Sequence, residues 1–229
     1  MNTREKIMDV ALHMFSERGY EAVSIRDICG EVGIKESTLY YHFKNKKDIL
    51  DSLVAKFRAH IDGLLSHVND IDEAPVSKGA KATSAKETST KATSAKKTSG
   101  KATKTKSQPA DDPSLQMVDS YMMDSYLFDP FCNLMLRLMM IEQFHNEEIR
   151  ALYEKTMFTD PYEIQLNVFR KLSTAGVFPE AQVEMIVKEY HAYMTMLTYK
   201  YLLNGELTEA RKKAYHKEVH DLMTSRFMA

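Results

Sequence analysis

The sequence predicts an all-α protein, and three observations carry that prediction. Apolar residues recur at three- and four-residue intervals, as in Ile7, Val10, Ala11, Met14 and Phe15. Helix-opening residues punctuate the chain at Ser24, Asn45, Asp112-Pro113, Asp129-Pro130, Asp160-Pro161 and Thr208. No segment alternates apolar and polar residues over the length of a strand.

The elements follow in order. Gly19 stops the first helix. Ser24 with Asp27 three residues on forms a capping box that opens a second helix, Ser24–Glu31, which ends in a tight turn at Gly33. A third short helix covers Glu36–Phe43. Asn45 then caps a long helix over 46–69, with Ile49, Leu50, Leu53, Val54, Phe57, Ile61, Leu64, Leu65 and Val68 on its apolar face. After residue 112 the three Asp-Pro pairs each predict a helix start, and Asn146 opens another helix between the last two pairs. Gly176 closes one helix, Pro179 starts the next, which runs to Asn204-Gly205, and Thr208 caps a final helix to about Phe227.

Residues 70–112 interrupt this pattern. "KATSAKETST", "KATSAKKTSG" and "KATKTKS" start at Lys81, Lys91 and Lys101 as a ten-residue repeat. Lys, Thr, Ser and Ala give no apolar face at any period, so ordering the segment costs entropy that nothing offsets. It reads as a disordered basic linker between residues 1–69 and residues 113–229. Over the whole 229 residues the formal charge is only −1, so the protein is no polycation. "MNTREK" lacks the apolar core of a signal peptide, and "LMLRLMMI" is short and carries Arg137. A cytoplasmic protein with no membrane span is expected.

Two short helices joined by a glycine turn are the helix-turn-helix plan, whose second helix enters the DNA major groove. Leu39 and Phe43 would face a small core with Ile25, Ile28 and Val32. Ser37, Thr38, Tyr41 and His42 are then left on or beside the outer surface, where hydroxyls and rings suit base edges and phosphates. Lys46 and Lys47 open the next helix, where a phosphate is already favoured.

The stretch "FSERGYEAVSIRDICGEVGIKESTLYYHFKNKKDIL" resembles the DNA-binding domain of the tetracycline-repressor (TetR) family of bacterial regulators. The elements that carry the likeness are Phe15, Gly19-Tyr20, Ser24-Ile25, Ile28, Gly33-Ile34, Thr38 to Phe43, Asn45-Lys46 and Leu50. The resemblance implies that Ser24 and Arg26 touch the DNA backbone. It places Glu36, Ser37, Thr38 and Tyr41 at or beside base-reading positions, and Tyr40, His42 and Lys46 on phosphates. It also implies a C-terminal ligand-binding and dimerisation domain. Lys35 departs from the family pattern, standing where a capping Ser or Thr is common, and Cys29 replaces a usual Ala.

The C-terminal part is rich in methionine and aromatic residues, which suit either a core or a pliable apolar cavity. Met135, Met139, Tyr153, Phe158, Tyr162, Phe169, Tyr190 and Met194 are the candidates to line a pocket for an effector that the sequence does not name. The helices at about 179–203 and 209–227 are the expected homodimer interface, with Leu197 and Leu202 as candidate positions. His216 and His220 have the spacing of two metal ligands but no compelling third, and Cys29 and Cys132 form no pair, so no metal or cofactor is expected. No GxSxG, Walker loop or dinucleotide fingerprint marks an enzyme. The reading is a ligand-responsive repressor binding a pseudo-palindromic double-stranded operator as a dimer. The alternatives are an architectural DNA binder relying on the basic repeats, and a helical ligand-binding or catalytic domain without operator recognition.

Overall fold

The computed structural model describes residues 2–73, 123–174, 176, 179–222 and 225, and all regular structure among them is helical. Helix α1 (Thr3–Arg18) opens on a reciprocal cap. Asn2 Oδ1 accepts the Glu5 N–H at 2.9 Å, and Glu5 accepts the Asn2 N–H at 2.9 Å. Helix α2 (Ile25–Val32) uses Ser24 and Asp27 in the same way, as the sequence predicts. Gly33 turns the chain at φ +78°, a left-handed conformation that costs other residues about 1–2 kcal/mol. Lys35 gives α3 (Glu36–His42) no side-chain cap. Asn45 caps α4 (Lys46–Glu73) by accepting the Asp48 N–H at 2.9 Å, and α4 continues past the expected end at residue 69. The lysine-rich repeats and the helix expected from Asp112-Pro113 lie outside the described residues.

A π-helical turn (Met123–Leu127) precedes α5 (Pro130–Glu142), where Asp129 accepts the Cys132 N–H at 2.8 Å as the cap and Pro130 takes the first position. Asn146 caps α6 (Glu147–Glu154). The third Asp-Pro pair departs from expectation. No new helix starts there; the chain continues helically from α6 through a wide turn (Lys155–Thr159) into α7 (Asp160–Thr174). Pro161 lacks an N–H, and in a regular helix its ring would strike the carbonyl four residues back. The backbone widens instead, and the Asp160 N–H reaches Lys155 O. Asp160, released from capping, accepts Lys155 Nζ on both carboxylate oxygens at 2.6 Å.

A 3₁₀ turn (Glu180–Gln182) leads into α8 (Val183–Leu197), which ends in a second wide turn (Thr198–Leu203) before α9 (Glu209–Leu222). Arg211 closes that turn, donating to Tyr201 O at 2.6 Å and to Lys200 O at 2.8 Å. Its charge complements the carbonyl end of the helix.

Two apolar cores result. One runs without interruption from α1 through α6 and joins Phe15, Ile28, Leu39, Phe43 and Phe57 to Met135, Leu136 and Met139. The other joins Phe128, Phe169, Val187, Tyr190, Leu197, Leu202 and Tyr215. Leu197 and Leu202 are both fully buried within this chain, which corrects their assignment to a dimer interface. The Leu197 side of α8 faces α7 and α9, and Leu202 lies in the wide turn that follows. The exposed side carries Met185, Ala192 and Met196, and Tyr199 in the wide turn continues their stripe at helical spacing.

Buried polar groups join the parts. Asn133 Nδ2 donates to Leu202 O at 2.9 Å, linking α5 to the turn after α8. Glu142, 5% exposed at the end of α5, accepts the Tyr20 N–H on Oε1 at 2.8 Å. Gly19 lies directly against this carboxylate, with its φ at +83°. Glu142→Ala leaves the Tyr20 N–H without its acceptor and is expected to cost about 1–3 kcal/mol, whereas Glu142→Gln, which keeps an acceptor oxygen, costs less. Urea denaturation of the three proteins measures the difference.

Candidate nucleic-acid interface

α3 has one apolar edge and three polar ones. Leu39 is fully buried and Phe43 nearly so, packed with Ile28 and Val32 of α2, and this pair fixes which way the helix faces. Four of the sequence-predicted residues, Glu36, Ser37, Thr38 and Tyr41, are consequently exposed on α3. Tyr41 is 86% exposed, and its ring stands edge-on to His42, with centroids 5.1 Å apart. An aromatic residue so fully in water near the end of a short helix has little packing role. Tyr40, 51% exposed, lies beside it, and His42 is half-buried.

α2 contributes the flank. Arg26 extends from its first turn and pairs with Glu36 at 3.5 Å across the helix-turn-helix; both side chains are largely exposed, so the pair contributes little to stability. Ser24 is also exposed, but its hydroxyl is committed: it donates to Asp27 Oδ2 at 2.6 Å and accepts the Asp27 N–H at 3.2 Å. Those bonds from Ser24 hold the Asp27 carboxyl below the usual carboxylate range.

Lys46 sits differently from the phosphate-facing position expected of it. Its ammonium donates to Tyr20 O at 2.8 Å, lies 4.2 Å above the Tyr20 ring and 4.0 Å from the Glu21 carboxylate, and its side chain is only 20% exposed. Lys46 therefore holds the turn after α1 from one side while Glu142 holds it from the other. Lys47 is bound to Asp51 one turn on, at 2.7 Å, and this hydrogen bond raises its pKa. Burial pushes the Cys29 thiol up, in keeping with a small core residue.

Sequence reasoning missed the partnership of Tyr20, Lys46 and Glu142. Tyr20 and Lys46 are 26 residues apart, and Glu142 lies 122 from Tyr20. No spacing rule spans such gaps.

The eight candidates for an effector pocket fall into separate places. Met135 and Met139 are fully buried in the first core, and Phe169, Tyr190 and Met194 belong to the second. Tyr153, Phe158 and Tyr162 gather around His191 of α8. Ring centroids lie 6.1 Å apart for Tyr153–Phe158, 6.4 Å for Phe158–His191 and 5.7 Å for Tyr162–His191. Gln165 engages His191 Nδ1 at 2.9 Å, while Nε2 is buried without a protein partner, and burial lowers the imidazole pKa. Of the two histidines at metal-ligand spacing, His216 stands edge-on against Phe128, with centroids 4.8 Å apart. No described helix is long and apolar enough to cross a membrane.

Comparison with known proteins gives the same region a relationship. Residues 7–53 match the bacterial regulatory proteins of the tetR family. The negative transcriptional regulator IcaR of the biofilm operon icaADBC, from Staphylococcus epidermidis, is 41% identical over 68 residues, covering 29% of this chain and 37% of that protein. The transcriptional repressor KstR2 of Mycolicibacterium smegmatis is 31% identical over 75 residues, covering 33% of this chain and 37% of that protein. This chain thus spans little more than a third of these relatives. Among solved structures, a chain described as a transcriptional regulator from Saccharomonospora viridis, in complex with choline, superposes with a TM-score of 0.59 at 18% identity, covering 99% of this chain and 97% of its own. One described as a TetR-family regulator from Mesorhizobium loti does so at 0.53 and 14%, covering 97% and 95%. At these identities the likeness is one of fold.

Lys46→Ala is expected to destabilise the protein in the absence of any nucleic acid, by about 1.5–3 kcal/mol from its charged hydrogen bond. Thermal unfolding of the free protein measures this, and Lys44→Ala, an exposed neighbour, serves as the control.

Proposed function

Since this chain belongs, by its N-terminal region, to the tetR family of bacterial regulatory proteins, we propose that it is a transcriptional repressor that binds a pseudo-palindromic operator as a homodimer and releases it on binding an effector. The observation that carries this reading is the exposed face of α3. Ser37, Thr38 and Tyr41 offer two hydroxyls and a phenol to the major groove, and the buried Leu39–Phe43 edge holds the helix behind them. Arg26, Tyr40 and His42 flank that face and are assigned to phosphates, with Ser24 and Glu36 positioning the start of each helix. Lys46 is assigned to the turn beneath the helix-turn-helix, and its influence on DNA runs through that turn.

A dimer is supported by the exposed stripe of Met185, Ala192 and Met196 on α8, continued by Tyr199 in the turn that follows and crossed by Glu189. It extends about 21 Å along the helix and leaves Met185, Met196 and Tyr199 roughly half exposed. Apolar side chains aligned on one exposed helix face favour a second helix across a two-fold axis. For the effector, the rings of Tyr153, Phe158 and Tyr162 around the unpartnered nitrogen of His191 combine apolar area with one hydrogen-bonding point. These three of the eight candidates are assigned to the effector site, and the other five to packing.

A footprint on the DNA flanking the gene tests the reading as a whole: one short protected pseudo-palindrome is expected, and diffuse protection or none would overturn it. Tyr41→Ala should weaken binding to that operator more than to random DNA, narrowing the ratio by about 1–3 kcal/mol if Tyr41 reads a base. Equal losses on both DNAs, read by fluorescence anisotropy, would remove Tyr41 from the base-reading set. Met196→Asp should give monomers by light scattering that keep their helical content by circular dichroism. Leu197→Asp, on the buried side, should lower stability sharply.

A further inference from the structure

Three side chains with metal-ligand chemistry converge where α4 passes the start of α5. One ring nitrogen of His60, one carboxylate oxygen of Asp129 and Cys132 Sγ all lie within 4.8 Å of one another. We propose that His60, Asp129 and Cys132 form a binding site for a borderline-soft divalent cation of the zinc class, which pins α4 to α5. This goes beyond the regulator reading and stands without it.

The donor set selects the ion. One imidazole, one carboxylate and one thiolate are the ligands of a tetrahedral zinc site with three protein ligands, leaving the fourth position for water. Calcium and magnesium prefer all-oxygen shells, which this site lacks. With bonds of about 2.0–2.3 Å, tetrahedral ligand atoms stand roughly 3.3–3.8 Å apart. The three groups therefore need to close by no more than about 1.5 Å, a shift that side-chain rotation supplies.

Each ligand is already oriented. His60 Nε2 lies 3.0 Å from Ser125 O. Donation of Nε2–H to that carbonyl leaves Nδ1 with its lone pair, the arrangement usual for a metal-bound histidine. Asp129 accepts the Cys132 N–H on Oδ1 at 2.8 Å, and its carboxylate also takes the Cys132 thiol hydrogen bond, whose proton the ion would replace. Burial and the Asp129 carboxylate raise the Cys132 thiol pKa, and on binding the ion takes the place of the Sγ proton, which passes to water. The thiolate and the carboxylate together neutralise a dication. The neighbouring cation is Lys56, one turn before His60, held with Nζ 4.3 Å above the Phe131 ring; its charge also favours the Cys132 thiolate. His60 and Asp129 are both partly exposed, which gives the ion a way in.

Cobalt(II) titration of the full-length, tag-free protein tests the site by absorption spectroscopy. The expected result is one ion per chain, with tetrahedral d–d bands and a thiolate-to-cobalt charge-transfer band that zinc abolishes. Cys132→Ser should remove the charge-transfer band. His60→Gln should weaken binding by at least about 10-fold, as should Asp129→Asn, which keeps an oxygen for the Cys132 N–H. Cys29→Ser should change nothing. The absence of a charge-transfer band at saturating cobalt would overturn the proposal, and so would a band that survives Cys132→Ser. Zinc should also raise the unfolding temperature of the native protein and of Cys29→Ser, but not of Cys132→Ser; equal shifts in all three would place the ion elsewhere and overturn it. The titration uses no DNA, so metal binding without operator binding would fail the regulator reading alone.

Discussion

The turn at Gly19-Tyr20-Glu21 holds the structure's two halves in one arrangement. It leaves α1 with its backbone polar groups pointing into packed protein, and those groups need partners there. Glu142 supplies one from α5 and Lys46 the other from the first turn of α4. Both are charged, and the bonds they make are of the stronger, charge-assisted kind. Because Lys46 begins the helix that follows α3, the same turn sets where the recognition helix stands on the body.

The packing extends this constraint. A short helix-turn-helix buries too little apolar surface to be stable alone. Here α1 and α4 carry its core on into α5 and α6, so Phe15 and Leu39 belong to the same cluster as Met135 and Met139. A displacement of α5 therefore acts on the head through packed side chains and through Glu142 together. The second core, under α7 to α9, touches this path through Asn133 and its bond to Leu202 O. A change among the aromatic residues around His191 has a continuous route to α5 along α8 and that amide.

Much of the fold was legible because it rests on local rules. The reciprocal cap at Ser24 and Asp27, the left-handed Gly33, the caps at Asn45, Asp129 and Asn146 and the burial of Leu39 and Phe43 all depend on residues within a few positions of each other. The exposed face of α3 follows from the same periodicity, so Ser37, Thr38 and Tyr41 were placed correctly at the surface. Asp160-Pro161 misled because an Asp-Pro pair suits a helix start and also suits a widened turn inside one. Nothing local decides between the two; the packing of Thr156 and Met157 into the core holds the chain helical through that point.

The sequence by itself determined the helices, their caps and the outward face of the recognition helix, since capping and periodicity act within one or two turns. Only the tertiary structure decided which charges are spent internally. Lys46 and Lys47 look alike in a run of lysines, yet one is held under Tyr20 and the other lies in solvent beside Asp51. It decided which side of α8 is covered, turning Leu197 inward and Met196 outward. It also brought His60 to Asp129 and Cys132. Contacts between residues so far apart in sequence depend on how whole helices cross, and no local pattern in the chain encodes that angle.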